Sequence, residues 1–293
     1  MSRNLKQRVL TALVGLPLVL FLLLGWGLNG VAILCFVISM GMLYEFCRMI
    51  FRLGDARKKT LLALGAAAFV HAFNFVLPTG LSLGFLGTFP VLVFFTMFLF
   101  MVPRLFQYAG KEVLETESGA RMLQTHVQEL MALCFAMVYC VSFPLFMIGI
   151  REFTLGQHWL VLTLVVIWAS DTFAYFAGLS LGRHRLFDLV SPKKTWEGAV
   201  GGTLGAMGVA VLYAHFFLPR ESTLFILFVA VVLSITGIIG DLAESMLKRA
   251  CQCKDSGSIL PGHGGFLDRF DGVVFALPVM FFILRIFSYG AGI

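Results

Sequence analysis

Long apolar runs alternate with short polar breaks along the chain. A helix that crosses a bilayer needs about 20 predominantly apolar residues. Nine stretches approach that measure: 9–27, 30–50, 60–77, 83–102, 127–150, 159–181, 198–218, 223–248 and 273–288. The predicted fold is therefore all-α, a polytopic integral membrane protein with about nine transmembrane helices. The first run follows basic residues, as a signal peptide would. Apolar sequence then continues to Met49 with no small-residue cleavage site, so a retained first helix is expected.

Composition supports the membrane assignment. The 293 residues are 59% hydrophobic and only 13% charged, against about 25% charged in soluble domains. Charge placement sets the orientation. With the N-terminus inside, the short loops and span ends on that side hold 19 of the 22 basic residues, leaving Arg151, Arg220 and Arg285 outside. Cytoplasmic loops are enriched in Lys and Arg, so the N-terminus is expected in the cytoplasm and the C-terminus outside. Because the net charge of +6 sits in these clusters, nucleic acid is not an expected partner. Cys35, Cys47, Cys134 and Cys140 fall inside apolar spans, where a thiol packs as a small hydrophobe. Cys251 and Cys253 with His263 lack the second pair that a zinc site would need.

The two halves differ. Residues 1–126 read as a scaffold of about four helices plus an amphipathic surface segment at 103–126. Their few ionisable groups within spans suggest an interfacial Glu45–Arg48 pair and a satisfied polar His71. Glycines 201, 202, 205 and 208 suggest close helix packing. Residues 127–293 read as a catalytic region of about five helices with two cytoplasmic motif loops. Here acids stand inside spans or at their ends: Asp171, Glu197, Asp241 and Glu244. A charge at membrane depth costs at least about 2.5–3.5 kcal/mol on insertion scales and marks a functional hypothesis by default.

Asp241, Glu244, Ser245 and Lys248 are spaced i, i+3, i+4 and i+7, which puts them on one helical face. An i,i+4 ion pair would explain Glu244 and Lys248 structurally, but Asp241 has no cation at either spacing. This polar stripe runs into residues 245–271, SMLKRACQCKDSGSILPGHGGFLDRFD. The stretch combines Lys248, Arg249, Lys254 and Arg269 with Asp255, Asp268, Asp271 and His263. Gly264 and Gly265 allow close backbone approach to a ligand. Fixed cations beside carboxylates suit a polyphosphate carrying Mg²⁺. An ordinary basic loop would explain the cations but would not require the His-Gly-Gly turn or three aspartates. Asp241 and Asp268 are the first choice of metal ligands, with Asp271 adjacent. His263 is either a general base or a positioning histidine.

A second motif is Ser191-Pro192-Lys193-Lys194-Thr195-Trp196-Glu197-Gly198. Ser191 suits a helix N-cap and Pro192 the first helical turn. Free N–H groups there, with Lys193 and Lys194, would favour an anion. A capped helix behind a basic loop is the plainer alternative, and Trp196 is expected as an interfacial anchor. Asp171, followed by Tyr175 and Gly178 along one face, either lines a cavity or packs as a polar residue. Arg183 and His184 either meet a lipid phosphate or snorkel to the surface.

The 245–271 run resembles the signature of the phosphatidate cytidylyltransferases, or CDP-diacylglycerol synthases. The matching residues are Ser245, Lys248-Arg249, Lys254-Asp255, Gly257, Leu260-Pro261, His263-Gly264-Gly265, Asp268-Arg269 and Asp271. The Ser191–Gly198 stretch is similar to a second motif of that family, and the acid at Asp171 also has a counterpart. The resemblance implies a Mg²⁺-dependent transfer of CMP from CTP to phosphatidic acid in phospholipid biosynthesis, giving CDP-diacylglycerol and pyrophosphate. It implies Asp241, Asp268, Lys248, Arg249, His263 and Arg269 in catalysis. Asp171, Lys193, Lys194, Glu244, Ser245, Lys254, Asp255, Gly264 and Gly265 are the expected substrate contacts. It further implies a homodimer, a monovalent co-ion such as K⁺, and a bacterial inner (cytoplasmic) membrane with the active site facing the cytoplasm. Two alternatives remain from the residues. One is a CTP- or ATP-dependent polyprenol or lipid kinase. The other, less favoured because the acids gather at one end, is an ion-coupled secondary transporter.

Overall fold

The computed structural model describes residues 13–51, 56–76, 117–259 and 264–290, and nearly all of these are helical. In chain order they form α1 (Leu13–Gly25, ending in the π turn Phe21–Gly25), α2 (Gly27–Ile50), α3 (Ala56–Val76) and α4 (Glu117–Ala136). A π turn at Met137–Ser142 leads into α5 (Phe143–Arg151), followed by α6 (Gly156–Leu181). Strands β1 (Arg185–Phe187) and β2 (Ser191–Thr195) precede α7 (Trp196–Phe217), α8 (Thr223–Ala250) and α9 (Leu267–Gly290).

Among the described residues, six helical stretches are long and apolar enough to cross a membrane. They are Gly27–Ile50, Ala120–Arg151, Gly156–Leu181, Trp196–Phe217, Thr223–Ala250 and Leu267–Phe287. Each coincides with a span read from the apolar pattern. The expected span at 83–102 lies outside the described residues. So does most of the expected surface segment at 103–126; its described part, from Glu117, opens α4 and continues into a span rather than forming a separate surface helix.

The Ser191 motif departs from expectation. Ser191–Thr195 is a strand, not a capped helix start, and pairs antiparallel with β1 in the register Arg185↔Thr195 and Phe187↔Ser191. Pro192 has no N–H to donate, so it is tolerated in this two-stranded edge. The cap falls to Thr195, whose hydroxyl accepts from Gly198 N at 3.1 Å.

The described chain divides into two compact units, one of residues 36–142 and one of 1–35 with 143–293. In the first, a Lys59–Glu129 ion pair of 2.6 Å joins α3 to α4, and Phe46 packs on Phe135. Arg48 lies against the Tyr44 ring. His71 is buried edge-on to Phe36, and its Nε2 finds no hydrogen-bond partner among the described residues, so it is not the satisfied polar group expected.

In the second unit α6 and α7 approach closely because small residues face each other. A Cβ at Gly202 would lie 2.6 Å from Ser170 O, and one at Gly201 2.4 Å from the Ala177 methyl. Gly208, expected to do the same, meets nothing within 4 Å. Buried hydroxyls tie a third helix to this pair: Ser234 on α8 lies 2.7 Å from Ser170 on α6 and 3.0 Å from Thr203 on α7. The aromatic contact of Phe146 with Phe281 joins α5 to α9. Successive helices reverse direction. The C-terminal ends of α6 and α8 therefore share one end of the unit with the N-terminal ends of α7 and α9, and all the chemistry-bearing residues belong to those ends.

Candidate active site

Where α8 passes α9, glycines replace side chains on both backbones. A Cβ at Gly240 would sit 2.8 Å from Asp271 O and 2.9 Å from Phe275 Cβ. One at Gly272 would lie 3.2 Å from Gly237 O. Each of these contacts adjoins an acid, Asp241 after Gly240 and Asp271 before Gly272. Close backbone approach therefore brings carboxylates from two helices together. Asp241, Glu244 and Asp271 each offer an oxygen within 4.8 Å of the others.

Two lysines hold this acidic group. Lys194, from β2, lies 2.5 Å from Asp241 Oδ2. That supplies the cation which Asp241 lacks on its own helix, and Ser245 donates to Asp241 Oδ1 at 3.3 Å. Lys248 bridges two acids, at 2.5 Å from Glu244 Oε2 and 2.8 Å from Asp268 Oδ1. The i,i+4 pairing of Glu244 with Lys248 thus exists, but as part of a larger network. Glu244 is 0% exposed. The Lys248 contact to its Oε2 lacks hydrogen-bond geometry, and Oε1 meets no donor among the described residues. A buried carboxylate oxygen without a donor is costly. Removing Lys248 would leave that charge unpaired, so Lys248→Met is expected to destabilise the protein by about 3–5 kcal/mol. Adding Glu244→Gln should restore most of the loss. Thermal unfolding of the single and double variants in detergent checks this, and equal melting of the two would contradict it.

Asp268 has a different setting from the trio. Its carboxylate accepts from Lys248, from Ser256 N at 3.2 Å and from Gly265 N at 3.0 Å. It therefore folds the signature stretch back onto the start of α9. Gly264 makes this turn possible. Its φ is +82°, in the left-handed region, and a Cβ there would come within 3.2 Å of Asp268 Oδ2.

A cleft of about 560 Å³ opens beside Asp241, within the range of small-molecule sites. Asp171, Lys193, Lys194 and Asp241 line it together, so the structure gathers both motifs and the α6 acid at one cavity. Apolar side chains line another part of it, with Tyr175 and Leu179 from α6, Leu186 from β1 and Ile238 from α8. Tyr175 and Leu179 are largely exposed on the outer surface of α6.

Arg249 directs Nε to Val190 O at 3.4 Å, in the turn between the strands. Lys254 and Asp255 are exposed on the stretch after α8, and Arg269 is exposed in the first turn of α9, with its charge acting on Asp171. His263 lies outside the described residues. Arg183 and His184 are anchored to Glu197, Arg183 through its backbone and His184 through backbone and ring. Their backbone N–H groups donate to Glu197 at 3.1 and 3.3 Å, and His184 Nδ1 lies 2.6 Å from Glu197 Oε1. Glu197 is thereby explained as the group that ties the end of α6 to the start of α7.

One cleft residue escaped the sequence pattern. Arg185 counts there only toward the charge bias, yet it lines the cleft, with its guanidinium donating to Pro192 O. Glu244, expected as a substrate contact on the same helical face as Asp241, stands in the acidic trio.

The trio passes a test for a divalent cation. Asp241, Glu244 and Asp271 bring three carboxylates within 4.8 Å of one another. Hard oxygen donors suit Mg²⁺, and the orphaned Glu244 Oε1 is a group such an ion would satisfy.

Comparison with known proteins agrees with this chemistry. The Cytidylyltransferase family matches residues 6–287. A phosphatidate cytidylyltransferase of Bacillus subtilis (strain 168) is 32% identical over 295 residues, covering 97% of this chain and 99% of that relative. One from Staphylococcus haemolyticus (strain JCSC1435) is 43% identical over 129 residues, or 44% of this chain and 50% of the relative. One from Staphylococcus aureus (strain COL) is 41% identical over a stretch of the same length and coverage.

Proposed function

Because the chain belongs to the cytidylyltransferase family, we propose that it transfers CMP from CTP to phosphatidic acid within the membrane. A phosphate oxygen of phosphatidic acid forms a bond to the α-phosphorus of CTP. The bond from that phosphorus to the bridging oxygen breaks, and pyrophosphate leaves with the electron pair. CDP-diacylglycerol remains in the bilayer. The observation that carries this reading is the carboxylate trio, whose Asp241 also lines a cleft that carries cations and apolar side chains.

The residues divide the work. Asp241, Glu244 and Asp271 would hold Mg²⁺. Asp268, which shares Lys248 with Glu244, stands next to them as a further ligand. Such an ion supplies charge stabilisation for the phosphates of CTP and the leaving pyrophosphate. Lys193, Lys194 and Arg185 draw an anionic headgroup into the cleft. Lys248 keeps the acids in place, while Arg249, Lys254 and Arg269 neutralise nucleotide phosphates from the rim. Little proton removal is needed, because a phosphomonoester with a second pKa of about 6 is already largely ionised at neutral pH. His263 therefore fits a positioning role better than that of an obligatory base. Tyr175, Leu179 and Leu186 offer the diacyl tails an apolar wall, and the tails stay in the bilayer because each buried CH₂ is worth about 0.8 kcal/mol.

The orientation belongs to the same proposal. The basic-residue bias supports an N-terminus and a site on the cytoplasmic face, where CTP is present, with the C-terminus outside and about nine spans in all, and family likeness supports a bacterial inner membrane. A homodimer and a K⁺ co-ion are the remaining proposals carried by family likeness.

The test is to incubate purified protein with phosphatidic acid, Mg²⁺ and each of CTP, UTP, ATP and GTP in turn. Pyrophosphate is expected with CTP alone, together with CDP-diacylglycerol. Release of a nucleoside diphosphate would make the protein a lipid kinase instead, and no turnover with any nucleotide would overturn the proposal.

A further inference from the structure

The two strands between α6 and α7 do more than line the cleft. They connect Leu181, where one span ends, to Trp196, where the next begins, so the hairpin stands at the membrane boundary by chain connectivity alone. Its base is fixed, with Trp196 N donating to His184 O at 3.0 Å and Glu197 holding Arg183 and His184. Its far end is apolar and uncovered. Leu189 is 95% exposed and Phe187 56% exposed, and they flank Asp188 in or beside the turn.

An apolar tip with cations on the strands behind it matches the chemistry of an anionic leaflet. The cations meet lipid phosphates and the apolar groups enter the boundary between headgroups and acyl chains. The opposite edge of the hairpin faces the cleft through Arg185, Leu186, Lys193 and Lys194. The turn is also held from the signature stretch, through Arg249 on Val190 O.

We propose that Phe187 and Leu189 insert into the leaflet on the site's side of the bilayer, and that the hairpin guides an anionic lipid from that leaflet into the cleft. The inserted tip touches lipid and the base touches the substrate, so a headgroup drawn to the cations moves along one strand pair without leaving the membrane surface. The guiding role rests on the lipid-dependent reaction proposed above; the insertion does not.

Two measurements keep these apart. A benzophenone amino acid is introduced at position 189, the protein is reconstituted in phosphatidylglycerol vesicles and irradiated, and its intact mass is measured. A lipid adduct is expected. A covalent dimer, or recovery of unmodified chain only, would overturn insertion. In parallel, Leu189→Asp is assayed with phosphatidic acid in vesicles. The KM for the lipid should rise about tenfold, with kcat and the KM for CTP unchanged, and the rise should vanish with a short-chain lipid dispersed in detergent. An adduct with no change in lipid KM would overturn the guiding role. If wild-type protein shows no CTP turnover at all, the proposed reaction fails, while the crosslink still decides the insertion.

Discussion

Asp271→Asn lowers CTP-dependent pyrophosphate release by at least about 100-fold, since even residues that merely support metal ligands change affinity or activity by about 10–100-fold. The substitution keeps shape and size and removes only the charge. Asp271 sits in the first turns of α9, where it faces Asp241 and Glu244 from α8. With one carboxylate neutralised, the cluster offers a divalent ion one charged ligand fewer. The helical circular dichroism of the variant should equal that of the parent. The diagnostic readout is a Mg²⁺ titration, in which the midpoint moves to higher concentration. Undiminished activity with an unmoved midpoint would show that the trio does not serve the ion.

Gly240→Val should be nearly as damaging without touching a charged group. Any Cβ at Gly240 lies 2.8 Å from Asp271 O and 2.9 Å from Phe275 Cβ, and a backbone atom cannot swing aside as a side chain can. Overpacking of this kind costs about 1–3 kcal/mol. Its greater effect falls on geometry. The helices must part to admit the side chain, and a displacement of about 1 Å can cost about 10²-fold in rate. Turnover measured well below the melting temperature should therefore fall much further than stability does. Gly208→Ala is the matched control, because nothing lies within 4 Å of a Cβ there. Equal activity of the two variants would mean that the α8–α9 approach is unimportant.

The parts legible in the sequence are those in which the signal is local. Apolar runs located the six long spans, and a helical period placed Asp241, Glu244 and Lys248 on one face. The i,i+4 pairing of Glu244 with Lys248 followed from the same spacing. The parts that were not legible depend on distant neighbours. Lys194 reaches Asp241 across 47 positions of sequence, and no spacing rule connects them. Strands of three and five residues carry too little alternation to stand out between two apolar spans, so Ser191 and Pro192 looked like a helix start. Asp241 and Asp268 stand out as metal ligands because both are aspartates in rare company, but no spacing shows that Lys248 and two backbone amides also engage Asp268, or that Glu244 has an oxygen without a donor among the described residues.

The apolar wall of the cleft has a consequence for how such a protein can diverge. Tyr175 and Leu179 belong to α6, whereas the acidic trio is carried by α8 and α9. On the proposed reading, the side chains that would meet the diacyl tails thus stand on a different helix from the carboxylate trio. A lineage whose membrane composition changes can adjust the one by replacing residues on the outer side of α6 and leave the other untouched.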